Sequence, residues 1–330
     1  MLETDRAAGC LVGLAVGDAL GFPLEGLSAR RIARRFGRPQ RFRFLGRRGF
    51  VSDDTEQAVM AAESALASAG DPQQAARRFS RRLVGWFWTI PPGVGLATLR
   101  ACLKMSLGLP GGVSSAGNGA AMRAAPLGLL PLDASGRRAL VEALSRVTHL
   151  DARAVDGARA VAEATARLRE GGDADWPGLR DQLPELDGRL EERLDRAWAL
   201  REASGEEAAR ELGVTGYVLH SVPLAFWALW RRPPGFLEGL HAVVLLGGDA
   251  DSTGAMAGAL LGTRFGLGGL PPELAGNLEA CFSAKRLSAL ARALVEGGPG
   301  PEHPGFWALR GREAAVKAGV AWHVLGRLVL

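Results

Sequence analysis

The stretch Gly9-Cys10-Leu11-Val12-Gly13-Leu14-Ala15-Val16-Gly17-Asp18-Ala19-Leu20-Gly21 decides how this chain is to be read. Its four glycines stand four residues apart, so a helix here carries them on one face. A second row, Gly254, Gly258 and Gly262, repeats the spacing far downstream. Glycine inside a helix costs about 1 kcal/mol against alanine. Repeating that cost along two faces implies that other helices, or a ligand, press closely against them.

Outward from these rows, apolar residues recur at helical spacing in 5–20, 53–68, 72–88, 95–107, 117–130, 136–148, 151–170, 187–203, 216–230, 235–246, 252–264, 280–295 and 311–329. Gly70-Asp71-Pro72, Pro91-Pro92-Gly93, Pro110-Gly111-Gly112, Pro233-Pro234-Gly235 and Pro271-Pro272 punctuate them. Val243-Val244-Leu245-Leu246 is the best strand candidate, but it is short and continues a helical pattern. The predicted fold class is all-α. The polar stretch 171–187 reads as a surface connection, so residues 1–295 are expected to form one domain. Residues 296–330 follow as a loop and a C-terminal helix packed on it.

The chain has 330 residues, 47% hydrophobic and 23% charged, an ordinary globular composition with ample material for a core. The net charge is +5, the pI is about 9.7, and Lys occurs only at 104, 285 and 317. Arg suits phosphate and carboxylate recognition. A high-GC genome accounts for the same excess, and the charge reads as spread along the chain, against a dedicated nucleic-acid stripe. Cys10, Cys102 and Cys281 form no CxxC or Cys/His grouping, which predicts buried free thiols in a reducing compartment. The N-terminus does not read as a secretory signal, and no apolar stretch runs uninterrupted for the about 20 residues a membrane span needs. A cytoplasmic monomer with no membrane partner is the expectation.

Two acidic clusters carry the chemistry. Ser52-Asp53-Asp54-Thr55-Glu56 reads as a helix start, with a capping Ser and acids near the positive dipole end. Adjacent aspartates at a helix start also offer hard oxygen ligands for a cation. Gly247-Gly248-Asp249-Ala250-Asp251-Ser252-Thr253 sets two carboxylates two apart in a turn. It is no EF-hand: position six is Gly254, but position twelve is Leu260 rather than Glu. Joined, the clusters suit Mg²⁺, Mn²⁺ or Ca²⁺ rather than zinc. Ser114-Ser115 and Gly117-Asn118-Gly119-Ala120-Ala121-Met122-Arg123 form a Gly/Ser-rich turn opening a helix, a candidate anion site or a plain turn. In Gly17-Asp18-Ala19-Leu20-Gly21-Phe22-Pro23-Leu24-Glu25, Pro23 ends the glycine helix and leaves Glu25 in a loop.

These four pieces, in this order from about residue 5 to about 295, resemble the ADP-ribosylglycohydrolase family, which includes ADP-ribosylarginine and ADP-ribosylserine hydrolases. The resemblance implies a single-domain orthogonal helical bundle with a cleft for two divalent cations, Mg²⁺ or Mn²⁺. By motif, it gives Ser52, Asp53, Asp54, Asp249, Asp251 and Ser252 as metal ligands and sets Glu25 near the reaction centre, with Glu25, Asp53 and Asp251 as the catalytic carboxylates. Ser115, Gly117 and Asn118 match the loop around the diphosphate and ribose. Gly95 matches a glycine turn near the phosphates, and His149 a residue near the adenosine; a histidine capping between two helices explains His149 as well. The implied reaction cleaves the bond between ribose C1 and an acceptor through an oxocarbenium-like state. The implied partners are an ADP-ribosylated protein as substrate and ADP-ribose as product. Ser52 and Asp-Ser-Thr lean toward arginine linkage; serine-linked, O-acetyl- and nucleic acid-linked ADP-ribose stay open. A non-catalytic ADP-ribose binder is the rival, but such relatives lose metal aspartates and all four stand here.

Overall fold

The computed structural model describes residues 2–183, 185–302 and 304–328, without the side chains of Phe306 and 322–328. Val329, the last residue of the predicted C-terminal helix, lies outside them. Among the described residues the helices are α1 (Leu2–Gly21), α2 (Ala29–Arg35), α3 (Asp53–Leu66), α4 (Pro72–Phe87), α5 (Leu96–Ser106), α6 (Ala134–Arg146), α7 (Ala152–Arg169), α8 (Trp176–Arg180), α9 (Gly188–Ala199), α10 (Gly205–Leu212), α11 (Val218–Trp230), α12 (Phe236–Val244), α13 (Ala250–Phe265), α14 (Pro272–Gly276), α15 (Ala284–Glu296) and α16 (Phe306–Leu328). The described residues contain isolated β-bridges and no named strand, so the all-α expectation is met.

The two glycine rows meet each other. A methyl group on Gly9, Gly13 or Gly17 of α1 would lie 2.1, 2.3 or 2.0 Å from the carbonyl oxygen of Gly262, Gly258 or Gly254 of α13. One on Gly21 would lie 2.3 Å from the oxygen of Ala250. The register runs antiparallel, so the C-terminal end of α1 abuts the N-terminal end of α13. Both helices are buried almost throughout. By length and mean hydropathy (1.6) Leu2–Leu24 would suffice to cross a membrane, contrary to the sequence expectation, yet 94% of its most apolar window is buried inside this fold. It is the central helix of the bundle.

Around this pair the remaining helices pack as a shell. Trp227 and Trp230 of α11 bury their rings and donate Nε1–H to the carbonyls of Leu200 (2.8 Å) and Ala174 (2.7 Å), so each indole keeps a partner. The stretch 171–187 therefore holds more than a surface connection: α8 buries Trp176, which donates to Asp195. The helix expected over 117–130 is replaced by turns and a short 3₁₀ helix, Ala125–Leu129. Asn118 N–H bonds to Gly216 O (2.9 Å) instead of an upstream carbonyl, and Pro126 has no N–H to continue a ladder. Short α2 and α14 carry too few apolar positions for a periodic signal; α10 is amphipathic, burying Ala208 and Leu212, but spans only about two turns.

Backbone contact of this closeness makes a sharp expectation. Gly13→Ala or Gly258→Ala should destabilise by about 3 kcal/mol or more, because the clashing atom is backbone. Gly85→Ala on α4, where an added methyl meets nothing within 4 Å, should be neutral or stabilise by up to about 1 kcal/mol. Thermal melts of the three variants check this; equal behaviour would contradict it.

Candidate active site

Each acidic cluster is positioned by backbone constraints. Gly247 and Gly248 have φ of 79° and 69°, and a methyl on either would lie 2.1 Å from Leu27 O or 1.9 Å from Val214 O. Only glycine fits a turn with both features. Gly26 N–H bonds to Gly248 O (2.8 Å), Gly248 N–H to Leu27 O (3.0 Å) and Asp249 N–H to Val214 O (2.8 Å). The loop carrying Glu25 and the start of α13 are thus stitched together. On the other side, Ser52 caps α3, accepting from Asp54 N–H (3.2 Å). Asp18 of α1, fully buried, accepts from Ser52 N–H (3.0 Å), Thr55 N–H (3.1 Å) and the Thr55 hydroxyl (2.5 Å). The cap reading of this motif was therefore correct, and it coexists with a site.

The clusters touch at Asp54. Its Oδ2 accepts from the hydroxyls of Ser52 (3.0 Å) and Ser252 (3.2 Å). Its Oδ1 is buried without a hydrogen-bond partner among the described residues. Carboxylate oxygens of Glu25, Asp249 and Asp251 lie within 4.8 Å of one another. A cavity of about 330 Å³ is lined by Glu25, Ser52, Asp53, Asp54, Gly95, Ser115, Gly117, Asn118, His149, Asp249, Asp251 and Ser252. Every metal, catalytic and substrate residue expected from the family resemblance therefore lines one space. Burial, then the charges of Asp251, Glu56, Asp18 and Glu25, pushes Asp53 well above the usual carboxylate range. Burial also leads for Asp54 and Asp251, reinforced by the neighbouring acids. Asp249 is raised by burial against the hydrogen bond from Asn118. An orphaned buried oxygen among crowded hard donors is what a divalent cation would satisfy, so the residues fit one.

The glycine–asparagine loop differs from its sequence reading. Asn118 donates Nδ2–H to Asp249 (2.6 Å), and two N–H groups counted as free are engaged, Gly117 with Ser115 Oγ (3.3 Å) and Asn118 with Gly216 O. Asn118 thus orients a carboxylate. Open anion-binding amides lie across the cavity at α5, where Gly95 caps the helix without a side chain. The N–H groups of Leu96, Ala97 and Thr98 there have no acceptor among the described residues, and all three residues line the cavity.

His149 is 2% exposed, and burial, then Arg123, lowers its pKa to about 3, so the ring is neutral. Arg123 Nη2 donates to Thr148 Oγ1 (2.5 Å), and that hydroxyl is hydrogen-bonded to His149 Nδ1 (2.7 Å). Arg123 also donates to Gln57 (3.0 Å), which donates to Asp53 (2.8 Å), so one buried guanidinium braces both sides of the cavity.

Sequence reasoning gave no role to Asp18, Gln57 or Arg123, although Asp18 interrupts an otherwise apolar helix face and signalled a buried task. It also missed Glu279 and Arg312. Glu279 accepts from Val51 N–H (3.0 Å) and from Arg312 Nε (2.8 Å); Arg312 also donates to Val51 O (2.6 Å) and to Glu56. Helix α16 thereby clamps the residue that precedes Ser52. No local pattern announces this contact.

Within an all-helical bundle, carboxylates from two helix starts converge on one cavity beside unpaired helix-start amides, a donor set that fits a divalent cation. Residues 2–304 match the ADP-ribosylglycohydrolase family, and the chain belongs to it. It is 29% identical over 316 residues to the ADP-ribosylarginine hydrolase Tri1 of Pseudomonas putida, spanning 89% of this chain and 79% of that one. It is 28% identical over 281 residues to the ADP-ribosyl-[dinitrogen reductase] glycohydrolase of Rhodospirillum rubrum, spanning 81% and 88%. A solved structure titled ADP-ribosylglycohydrolase-related protein complex aligns with TM-score 0.69 and 32% identity, covering 89% of this chain and 98% of that one. The protein is a hydrolase of glycosyl bonds to ADP-ribose, in a family that uses divalent metal.

Raised carboxylate pKa values mean that the folded chain binds more protons than the unfolded one. Stability from this cluster alone therefore falls as pH rises. Cation binding must expel those protons. The rise in melting temperature on adding Mg²⁺ or Mn²⁺ should accordingly be larger near about pH 8 than near about pH 5.5; an equal or reversed gain would contradict the assignment.

Proposed function

We propose that this protein hydrolyses the bond between ADP-ribose and a modified protein arginine, releasing ADP-ribose. The observation that carries the reading is the convergence of both acidic clusters and Glu25 on one cavity beside the N-terminus of α5. The names of the Pseudomonas and Rhodospirillum relatives support an ADP-ribosylated protein as substrate. Arginine linkage is further supported by charge: Glu25 is exposed at an acid-lined cavity, a setting that favours a cationic guanidinium over a neutral serine oxygen.

In this reading Ser52, Asp53, Asp54, Asp249, Asp251 and Ser252 hold two divalent cations, Mg²⁺ or Mn²⁺. Such ions, when bound, supply Lewis acidity toward the ribose hydroxyls and toward water. Asn118 holds Asp249 and Gln57 holds Asp53 in orientation, as groups behind metal ligands commonly do. The amides of α5 take the diphosphate, together with the Ser115–Asn118 loop. The neutral ring of His149 stands on the adenosine side. Glu25 accepts a proton as water adds to C1 and returns it to the departing guanidine, while the surrounding carboxylates stabilise the oxocarbenium-like state.

Asp53→Asn and Asp251→Asn should each abolish ADP-ribose release and weaken metal-induced stabilisation; full activity in both would sink the two-cation reading. Glu25→Gln should lower kcat by about 10²–10⁴-fold, the usual worth of a positioned acid or base, with metal-induced stabilisation retained. Loss of that stabilisation would instead make Glu25 a metal ligand. Linkage is read by parallel release assays on arginine-, serine-, O-acetyl- and nucleic acid-linked ADP-ribose; serine-linked turnover exceeding arginine-linked turnover would refute the arginine assignment.

A further inference from the structure

Between Glu25 and Asp53 the chain contains no acid and nine arginines: Arg30, Arg31, Arg34, Arg35, Arg38, Arg41, Arg43, Arg47 and Arg48. The sequence reading of an evenly spread charge does not hold here. The whole chain has 40 Lys and Arg against 35 Asp and Glu; without these nine the balance reverses to 31 against 35. All nine are exposed, and none makes a side-chain hydrogen bond or ion pair among the described residues. Elsewhere arginines are mostly spent within the fold, as Arg137 is on Glu163 and Arg312 on Glu279.

The segment is anchored to the fold while its charge stays outside. Ile32, Phe42 and Phe44 are buried, so Arg41-Phe42-Arg43-Phe44 alternates out and in. The Phe44 ring packs on Phe22 (centroids 4.7 Å apart), and Phe22 lines the active-site cavity. Ser28 pairs with Gly247 just before Asp249, and Gly49 N–H bonds to Asn277 O (2.9 Å). Arg30 and Arg38 also wall a groove of about 1070 Å³ together with Arg231 and Arg232, opposed by Glu206 and Glu238. Arg232 is paired with Asp173, and Arg231 stacks on Trp227.

We propose that the basic surface of residues 30–48 docks the phosphate backbone of a nucleic acid beside the active-site cavity. Arg matches phosphate bidentately and remains charged at any working pH. Basic residues clustered along one helix and its following loop, in a chain of pI about 9.7, are the electrostatic footprint of nucleic-acid binding. Within the segment no acid stands to repel a phosphate chain. The proposal stands apart from the choice of acceptor linkage.

The test uses the full chain and a labelled 20-nucleotide single-stranded DNA, followed by fluorescence anisotropy across salt concentrations. Wild type should bind with a Kd on the order of 10⁻⁴–10⁻⁶ M near physiological salt. Combining Arg31→Ala, Arg34→Ala, Arg35→Ala and Arg38→Ala should weaken binding at least tenfold and flatten the log–log salt slope by about 3, at roughly 0.7 per lost phosphate contact. A control with Arg78→Ala, Arg138→Ala, Arg189→Ala and Arg292→Ala removes equal charge from scattered exposed sites and should keep most of the affinity. Thermal melts check that both variants fold. No binding by wild type, or equal losses in the two variants, overturns the proposal. Displacement of the DNA by poly-glutamate at equal charge overturns it in favour of an acidic protein partner. Release of ADP-ribose from ADP-ribosylarginine by wild type reports the proposed function separately, so either idea can fail alone.

Discussion

Backbone touches backbone where α1 crosses α13, with no side chain between the two helices at Gly9, Gly13 and Gly17. That contact fixes more than helix spacing. Because the pair runs antiparallel, it sets the loop carrying Glu25 and the N-terminus of α13 at the same end of the bundle. Asp18, one residue beyond Gly17, then reaches sideways to hold Ser52 and Thr55 at the start of α3. Three segments distant in sequence converge because two helices can approach as closely as their carbonyls allow.

Convergence has a cost, visible in the electrostatics. Asp53, Asp54, Asp249 and Asp251 are all pushed above the usual carboxylate range, with burial as the leading cause. An isolated fold would not gather these charges; removing one from water is expensive even before they repel one another. Their support is correspondingly built. Gln57 and Arg123 brace Asp53, Asn118 braces Asp249, and Glu279 with Arg312 clamps Val51. A site so strained without a ligand is the ordinary signature of one made to hold cations, and divalent cations are what its family uses.

Much of this was legible in the chain because the informative patterns are local. Two glycine rows at helical spacing predict close helix contact, and Asp-Asp and Asp-x-Asp at turn-to-helix junctions predict converging carboxylates. The rest depends on contacts between distant residues. Nothing near Arg312 signals that it meets Val51, which lies more than two hundred and fifty residues upstream. The loop 117–119 has the composition of an anion cradle, yet two of its amides are claimed by the loop around Gly216 and by Ser115. The basic segment 30–48 was countable from the start, but a net charge of +5 averages it away against acids elsewhere.

The central claim is that the glycine contact brings two acidic clusters into one cation-binding centre. Anomalous diffraction from crystals grown with Mn²⁺ tests it most directly. The account predicts two manganese peaks in the cavity, between the Ser52-Asp53-Asp54 and Asp249-Asp251-Ser252 clusters, each with carboxylate oxygens at ligand distance. Peaks absent from that space, or one bound by a single cluster alone, would contradict it.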